Sequence, residues 1–168
     1  GFAADNITLM NDGAELPHHL PFKNNIERQL QLLLATVREQ DMVVMAYSGH
    51  GLHVDGVSYL CPSDALTTDP SKTMVSLDTV YRLLAACPAR QKLLLVDACR
   101  NDPSLPGAKS AATMKSAEQF VASLGHPPEG ILLLTSCKAG QHSLEDPDLG
   151  HGVFLYFLMQ GLEGAADA

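Results

Sequence analysis

Four short apolar runs, Ile7 to Met10, Met42 to Tyr47, Lys92 to Val96 and Gly130 to Thr135, alternate along this chain with stretches of helical periodicity. Each run is bounded by polar or turn-forming residues, which marks it as a buried strand rather than half of an amphipathic helix. Between the strands, Ile26, Leu30, Leu33, Leu34 and Val37 share one helical face, as do Leu77, Val80, Tyr81 and Leu84. The stretch Val153 to Leu162 is apolar nearly all round and predicts a buried helix. Strands alternating with helices of this length predict an α/β fold with a mostly parallel central sheet covered by helices on both faces. Asp55-Gly56, set between Val54 and Val57, favours a tight hairpin turn, so a small antiparallel ribbon should project after the second strand.

A chain of 168 residues, 46% hydrophobic and 18% charged, has material for one core and too little for two. Residues 102–130 hold Pro103, Pro106, Gly107, Pro127 and Pro128 and read as an exposed connector. One short helix is expected in it from Ser116, which has capping-box spacing with Gln119. The net charge of -8 argues against a nucleic-acid-binding face, which needs clustered Lys and Arg, and favours cationic ligands. No stretch reaches the roughly 18 apolar residues of a membrane span, so no membrane partner is expected. Cysteines 61, 87, 99 and 137 form no C-x-x-C pair. Neither a zinc ribbon nor a dense disulfide framework is indicated, and a reducing cytoplasm is the expected compartment. The first residue is Gly1 rather than methionine, directly before an expected strand, which points to a piece of something longer.

In open parallel sheets, reactive groups gather where loops leave the carboxyl ends of the strands. Two such ends are chemically loaded. Met42 to Tyr47 runs into Ser48-Gly49-His50-Gly51, and Lys92 to Val96 runs into Asp97-Ala98-Cys99-Arg100-Asn101-Asp102. If the two strands are neighbours, the His50 imidazole and the Cys99 thiol face one cleft. A thiol with an ordinary pKa of about 8.5 is only a few per cent thiolate at neutral pH, and a departing amine must be protonated. A nearby histidine meets both needs. The glycines beside His50 allow close approach of substrate, and the Gly51 and Cys99 amides are candidate oxyanion donors. The remaining cysteines, Cys61, Cys87 and Cys137, read as core or near-surface thiols, and the other histidines as loop or packing residues. A metal shared by His50 and His53 is disfavoured, because a glycine-rich turn holds ligands poorly.

Tyr47-Ser48-Gly49-His50-Gly51, then Val54-Asp55-Gly56 and Tyr59-Leu60-Cys61-Pro62-Ser63-Asp64-Ala65, closely resemble the histidine region of prokaryotic caspase-like peptidases, the metacaspase and orthocaspase relatives. Asp97-Ala98-Cys99-Arg100 resembles their cysteine motif. Caspases carry Q-A-C-[RQG]-G with a histidine about 50 residues upstream; here the separation is 49, with Asp97 in place of the glutamine and Asn101 in place of the glycine. The likeness runs on through Thr135 to Glu145 and Gly150 to Phe154.

The resemblance implies a caspase-like three-layer sandwich, a His50/Cys99 dyad and an oxyanion hole of the Gly51 and Cys99 amides. Caspases that cut after aspartate line the pocket for the residue before the scissile bond with arginine and glutamine. Here the matching positions hold Glu145 and Asp97, so the pocket charge is reversed and cleavage after Arg, then Lys, is expected. Lys109 and Lys115 fall where caspases carry interdomain cleavage sites and are candidates for self-cleavage. Some metacaspases need calcium. The acidic run Glu145-Asp146-Pro147-Asp148 lacks the alternating ligands of an EF-hand loop, so calcium dependence stays open and no metal residues are assigned. The family's fold normally has a strand and helix before the segment matching Gly1-Phe2 and a strand after the last helix. Residues 1–168 are therefore expected to be a catalytic domain incomplete at both ends, within a larger multidomain protein. Expected partners are protein or peptide substrates with Arg or Lys before the scissile bond. The rival readings are a caspase-like interaction domain without catalysis, a serine hydrolase using Ser48 or Ser136, and a nucleotide-binding domain. The last two lack a G-x-S-x-G elbow and a phosphate-binding glycine loop, respectively.

Overall fold

A computed structural model describes residues 2–98, 111–138 and 152–165. Its frame is a parallel sheet in the order β1-β5-β6, formed by Met42–Ser48, Gln91–Asp97 and Ile131–Thr135. The expected strands at 42–47, 92–96 and 130–135 are all present. Register alternates two faces. Val43, Met45 and Tyr47 share a side with Leu94 and Val96 and with Ile131 and Leu133, and these residues join or pack against the main core. On the opposite face Val44, Leu132 and Leu134 of the flanking strands are exposed, while Leu95 of the central strand is buried.

A second, antiparallel sheet has the order β2-β3-β4, from His50–Val54, Val57–Cys61 and Val75–Ser76. Its hairpin turns at Asp55 and Gly56, whose φ values of 50° and 80° are the paired left-handed conformations of a type I′ turn. The Asp-Gly signal thus has its expected outcome.

The helices are α1 (Lys23–Ala35), the single turn α2 (Pro70–Thr73), α3 (Leu77–Ala86), α4 (Ala111–Leu124) and α5 (Val153–Gln160). The first backbone N–H of α1 donates to Asp64 Oδ1 at 3.0 Å, a cap supplied from across the chain. Ser76 caps α3 locally, accepting from Thr79 N at 3.1 Å. Leu34 of α1, Val80 and Leu84 of α3, and Phe120 and Leu124 of α4 converge with Leu94 and Val96 in one apolar cluster. Phe120, Leu84, Leu94, Val80 and Val96 are fully buried. At roughly 1.5–3 kcal/mol per large apolar side chain, this cluster is the main stabilising term.

Three expectations change. Ile7 to Met10 forms no strand, and Ile7 and Leu9 are exposed; neither sheet offers it a ladder partner, and an extended segment without one is not a strand. The stretch 102–130 contains a longer helix than expected, beginning at Ala111 instead of Ser116. Ser116 is therefore interior to α4, and Phe120 beyond it anchors the helix in the core. Residues 102–110 lie outside the described residues. Finally, α5 has no buried residue, and Phe157 is 63% exposed; among the described residues no layer covers its outer side.

Candidate active site

The β1 and β5 strands are parallel neighbours with Ser48 beside Asp97. The pairing continues one step further, since Gly49 N donates to Asp97 O at 3.1 Å. His50 follows immediately as the first residue of β2 and is half-buried. The two loaded strand ends therefore leave the sheet side by side at the same edge. Cys99 stands two residues after Asp97 and lies outside the described residues, as do Lys109 and Glu145.

Local sequence explains how the His50 segment is held. Tyr47 Oη sits 2.8 Å from His50 O and 3.0 Å from Cys61 O, and accepts from Cys61 N at 3.0 Å. One phenol thus ties the end of β1 to both strands of the hairpin. The ring can fold back there because residue 49 has no side chain; a Cβ at Gly49 would lie 2.7 Å from Tyr47 Oη. Gly51 is buried for a related reason. A Cβ on it would come within 2.3 Å of the Phe120 ring, so α4 packs directly on the backbone of the residue after His50.

The helix is also bonded to this hairpin. Ser116 Oγ accepts from His53 N at 2.8 Å and donates to His53 O at 2.8 Å, taking both main-chain groups of one residue. His53 Nδ1 lies 2.8 Å from Ser58 Oγ, which lies 2.7 Å from Ser123 Oγ. His53 is accordingly a structural residue of the α4–hairpin contact, in line with its sequence reading. No cluster of three metal-ligating side chains occurs among the described residues.

Asp97 is fully buried at the end of β5. A carboxylate in such surroundings persists only where opposite charge or hydrogen-bond donors compensate it. Lys115 is exposed on α4, one residue before Ser116. Cys61 and Cys87 are free thiols, as expected. Burial pushes the Cys61 thiol up to about 12, so it stays protonated and unreactive at neutral pH. Cys137 departs from the expectation of a thiol, because it is disulfide-bonded.

A sequence profile of the caspase domain matches residues 8–167. The chain belongs to the caspase-domain family of cysteine peptidases. It is also similar to Metacaspase-1 of Kluyveromyces lactis, 37% identical over 51 residues. That stretch is 30% of this chain and spans only 12% of the yeast protein. The parallel sheet flanked by helices is the arrangement expected of a caspase-like sandwich. No helix among the described residues is long and apolar enough to cross a membrane.

Sequence reading does not single out Tyr47, Ser116 or Phe120 as supports of the site. Tyr47 lies within the Tyr-Ser-Gly-His run and is visible there. The roles of Ser116 and Phe120 arise from a contact between segments more than sixty residues apart, such as the 63 between Ser116 and His53, and no local pattern announces it.

Proposed function

We propose that this caspase-family domain is an endopeptidase that cuts protein or peptide substrates after Arg, and less readily after Lys, using Cys99 and His50. The observation that carries the reading is the side-by-side exit of β1 and β5, pinned by the Gly49 N to Asp97 O bond. His50 and the segment leading to Cys99 leave the sheet at one edge, as a dyad requires.

In the reaction, His50 takes the Cys99 thiol proton and the thiolate attacks the scissile carbonyl carbon. The Gly51 and Cys99 amides donate to the resulting oxyanion. His50 then protonates the departing amine, leaving an acyl-enzyme thioester. Water, deprotonated by His50, hydrolyses the thioester and frees the thiol. The support of Tyr47 and Phe120 for residues 50 and 51 matters because a misplacement of about 1 Å can cost roughly a hundredfold in rate.

Basic specificity is supported by the buried carboxylate of Asp97 at the strand end and by the net charge of -8. Charge-assisted hydrogen bonds to a guanidinium contribute about 1.5–3 kcal/mol each, and the planar fork of arginine suits two carboxylates better than an ammonium does. Glu145 is proposed as the second carboxylate. A peptide panel varied only at the residue before the scissile bond tests this, with cleavage after Arg exceeding Lys and no cleavage after Asp. Efficient cutting after Asp, with none after Arg or Lys, would overturn the pocket assignment.

Lys109 and Lys115 are proposed sites of self-cleavage. Because peptidases bind extended segments, Lys115 becomes a substrate only if the first turns of α4 unwind. Incubation beside a Cys99→Ala form, followed by mass spectrometry, locates the cut; an intact chain in active enzyme refutes it. The same assays with calcium and with a chelator decide whether the ion is required.

A further inference from the structure

Ser136 follows β6 directly, and its Oγ is buried and makes no hydrogen bond among the described residues. A hydroxyl taken out of water with no bond in return is destabilising, and such groups in folded chains are commonly met by a water or a ligand. A role as nucleophile does not fit it, because a serine is activated by a bonded base and this Oγ has none.

The sheet register places the hydroxyl. Val96 of β5 pairs with Thr135 of β6, and Ser136 N donates to Val96 O at 3.2 Å. Ser136 is therefore the next residue along that ladder, level with Asp97. On the other side of β5, Asp97 pairs with Ser48, two residues before His50. Side chains alternate between the faces of a strand. Thr135 shares the face of Val96 and Leu133, which lie in or against the main core, so Ser136 falls with Asp97 on the opposite face. Neighbouring strands are about 4.8 Å apart, and one ligand group can reach both side chains. The Asp97 carboxylate is itself fully buried.

We propose that Ser136 is a specificity-determining residue of the peptidase: its Oγ accepts one N–H of the substrate's arginine, beside the Asp97 carboxylate, and so favours arginine over lysine. This rests on the reading of Asp97 as a carboxylate of the pocket for the residue before the scissile bond. A guanidinium carries five N–H donors in a rigid plane and no acceptor. One carboxylate takes two of them as a parallel pair, which leaves the others to be met inside the pocket. A hydroxyl level with that carboxylate takes one. An ammonium has three donors on a compact, strongly hydrated and flexible head, and it keeps water on those the carboxylate leaves. Loss of one acceptor therefore harms arginine more than lysine.

The test compares the whole protein with Ser136→Ala and Ser136→Thr, on peptides that differ only in Arg or Lys before the scissile bond. Agmatine, a guanidinium without a peptide, serves as a binding probe read by calorimetry. In Ser136→Ala, kcat/KM on the arginyl peptide should fall roughly ten- to a hundredfold, that on the lysyl peptide by much less, and agmatine should bind more weakly. Ser136→Thr keeps the hydroxyl and should keep most of the preference. The urea midpoint of Ser136→Ala should be unchanged or higher, because alanine removes a hydroxyl that has no bond to lose. An unchanged Arg-to-Lys ratio in Ser136→Ala would overturn the inference. So would equal losses on both peptides with a lowered midpoint, the mark of a structural role. Arginyl cleavage and agmatine binding that persist unaltered in Ser136→Ala fail the assignment of Ser136 alone. Agmatine binding weakened by Ser136→Ala in a protein that cleaves no peptide upholds the contact and fails the peptidase reading. Should the unsubstituted protein neither cleave after Arg or Lys nor bind agmatine, the basic pocket fails and this inference with it.

Discussion

Replacing Gly51 by alanine probes the contact that binds the β2–β3 hairpin to α4. The added methyl would lie 2.3 to 2.5 Å from three carbons of the Phe120 ring, where ordinary contacts begin near 3.4 Å. Phe120 is fully buried and Gly51 is buried, so neither can swing into solvent. Overpacking of this kind costs about 1–3 kcal/mol. Relief must come from movement of α4 or of the 50–53 backbone. Movement of the backbone carries His50 and the Gly51 amide with it, and about 1 Å of displacement reduces turnover by roughly a hundredfold. Phe120→Ala alone should cost about 3–5 kcal/mol through the cavity it leaves. Combined, the two changes should be less damaging than their sum by about 1–2 kcal/mol, because the methyl added at position 51 occupies space the ring vacates. Urea denaturation of the two single variants and the double variant gives the stability coupling, and kcat/KM on an arginyl peptide gives its functional counterpart. Additive effects, or a Gly51→Ala variant with unchanged stability and unchanged kcat/KM, would refute the direct packing of α4 on the Gly51 backbone.

Three further outcomes are expected. Tyr47→Phe removes the hydroxyl that joins His50 and Cys61; urea denaturation should show a loss of about 1–3 kcal/mol, and kcat/KM should fall with KM little changed. Ser116→Ala strips the hydroxyl from both His53 main-chain groups at about 1–3 kcal/mol, with Ser116→Thr recovering much of the loss in stability and rate; equal behaviour of the two variants would deny the bond its role. Cys61 holds its proton in the folded chain to about pH 12, against an ordinary 9.0. Its contribution is therefore complete below pH 9 and is lost between about 9 and 12, with a limiting slope of about 1.4 kcal/mol per pH unit. Cys61→Ala should flatten that alkaline limb of the denaturation midpoint.

Much of the fold could be read from periodicity because its parallel strands are short, apolar runs and the middle one, β5, is buried. Leu94 to Val96, buried in the central strand, can satisfy their backbone only in a ladder, and the helices between the strands carry clear apolar faces. The hairpin was legible because two left-handed residues in succession demand a pair such as Asp55-Gly56. What escaped depends on contacts between distant segments. Ser116 has the spacing of a helix cap, yet α4 begins at Ala111 and the hydroxyl serves His53 instead. Ile7 and Leu9 alternate like a strand, but alternation supplies no partner edge. The disulfide of Cys137 escaped for the same reason, since no C-x-x-C spacing marks it. Within the site, the expectation that the two loaded strands are neighbours meets the parallel β1–β5 ladder, which sets Ser48 beside Asp97. The support from Tyr47, Gly49, Gly51 and Phe120 arises only where distant segments meet in the folded chain.

The central claim is that Cys99 is a nucleophile activated by His50, and active-site labelling tests it most directly. Reduced protein is incubated with an arginyl acyloxymethyl ketone across pH 5 to 9, and the modified residue is located by peptide mapping. One equivalent of label on Cys99 is expected. Cys99→Ala should abolish it, and His50→Ala should slow it by at least about a hundredfold near neutrality, where an unassisted thiol is mostly protonated. Label on Cys61, Cys87 or Cys137, or labelling of Cys99 at the same rate with and without His50, would contradict the dyad.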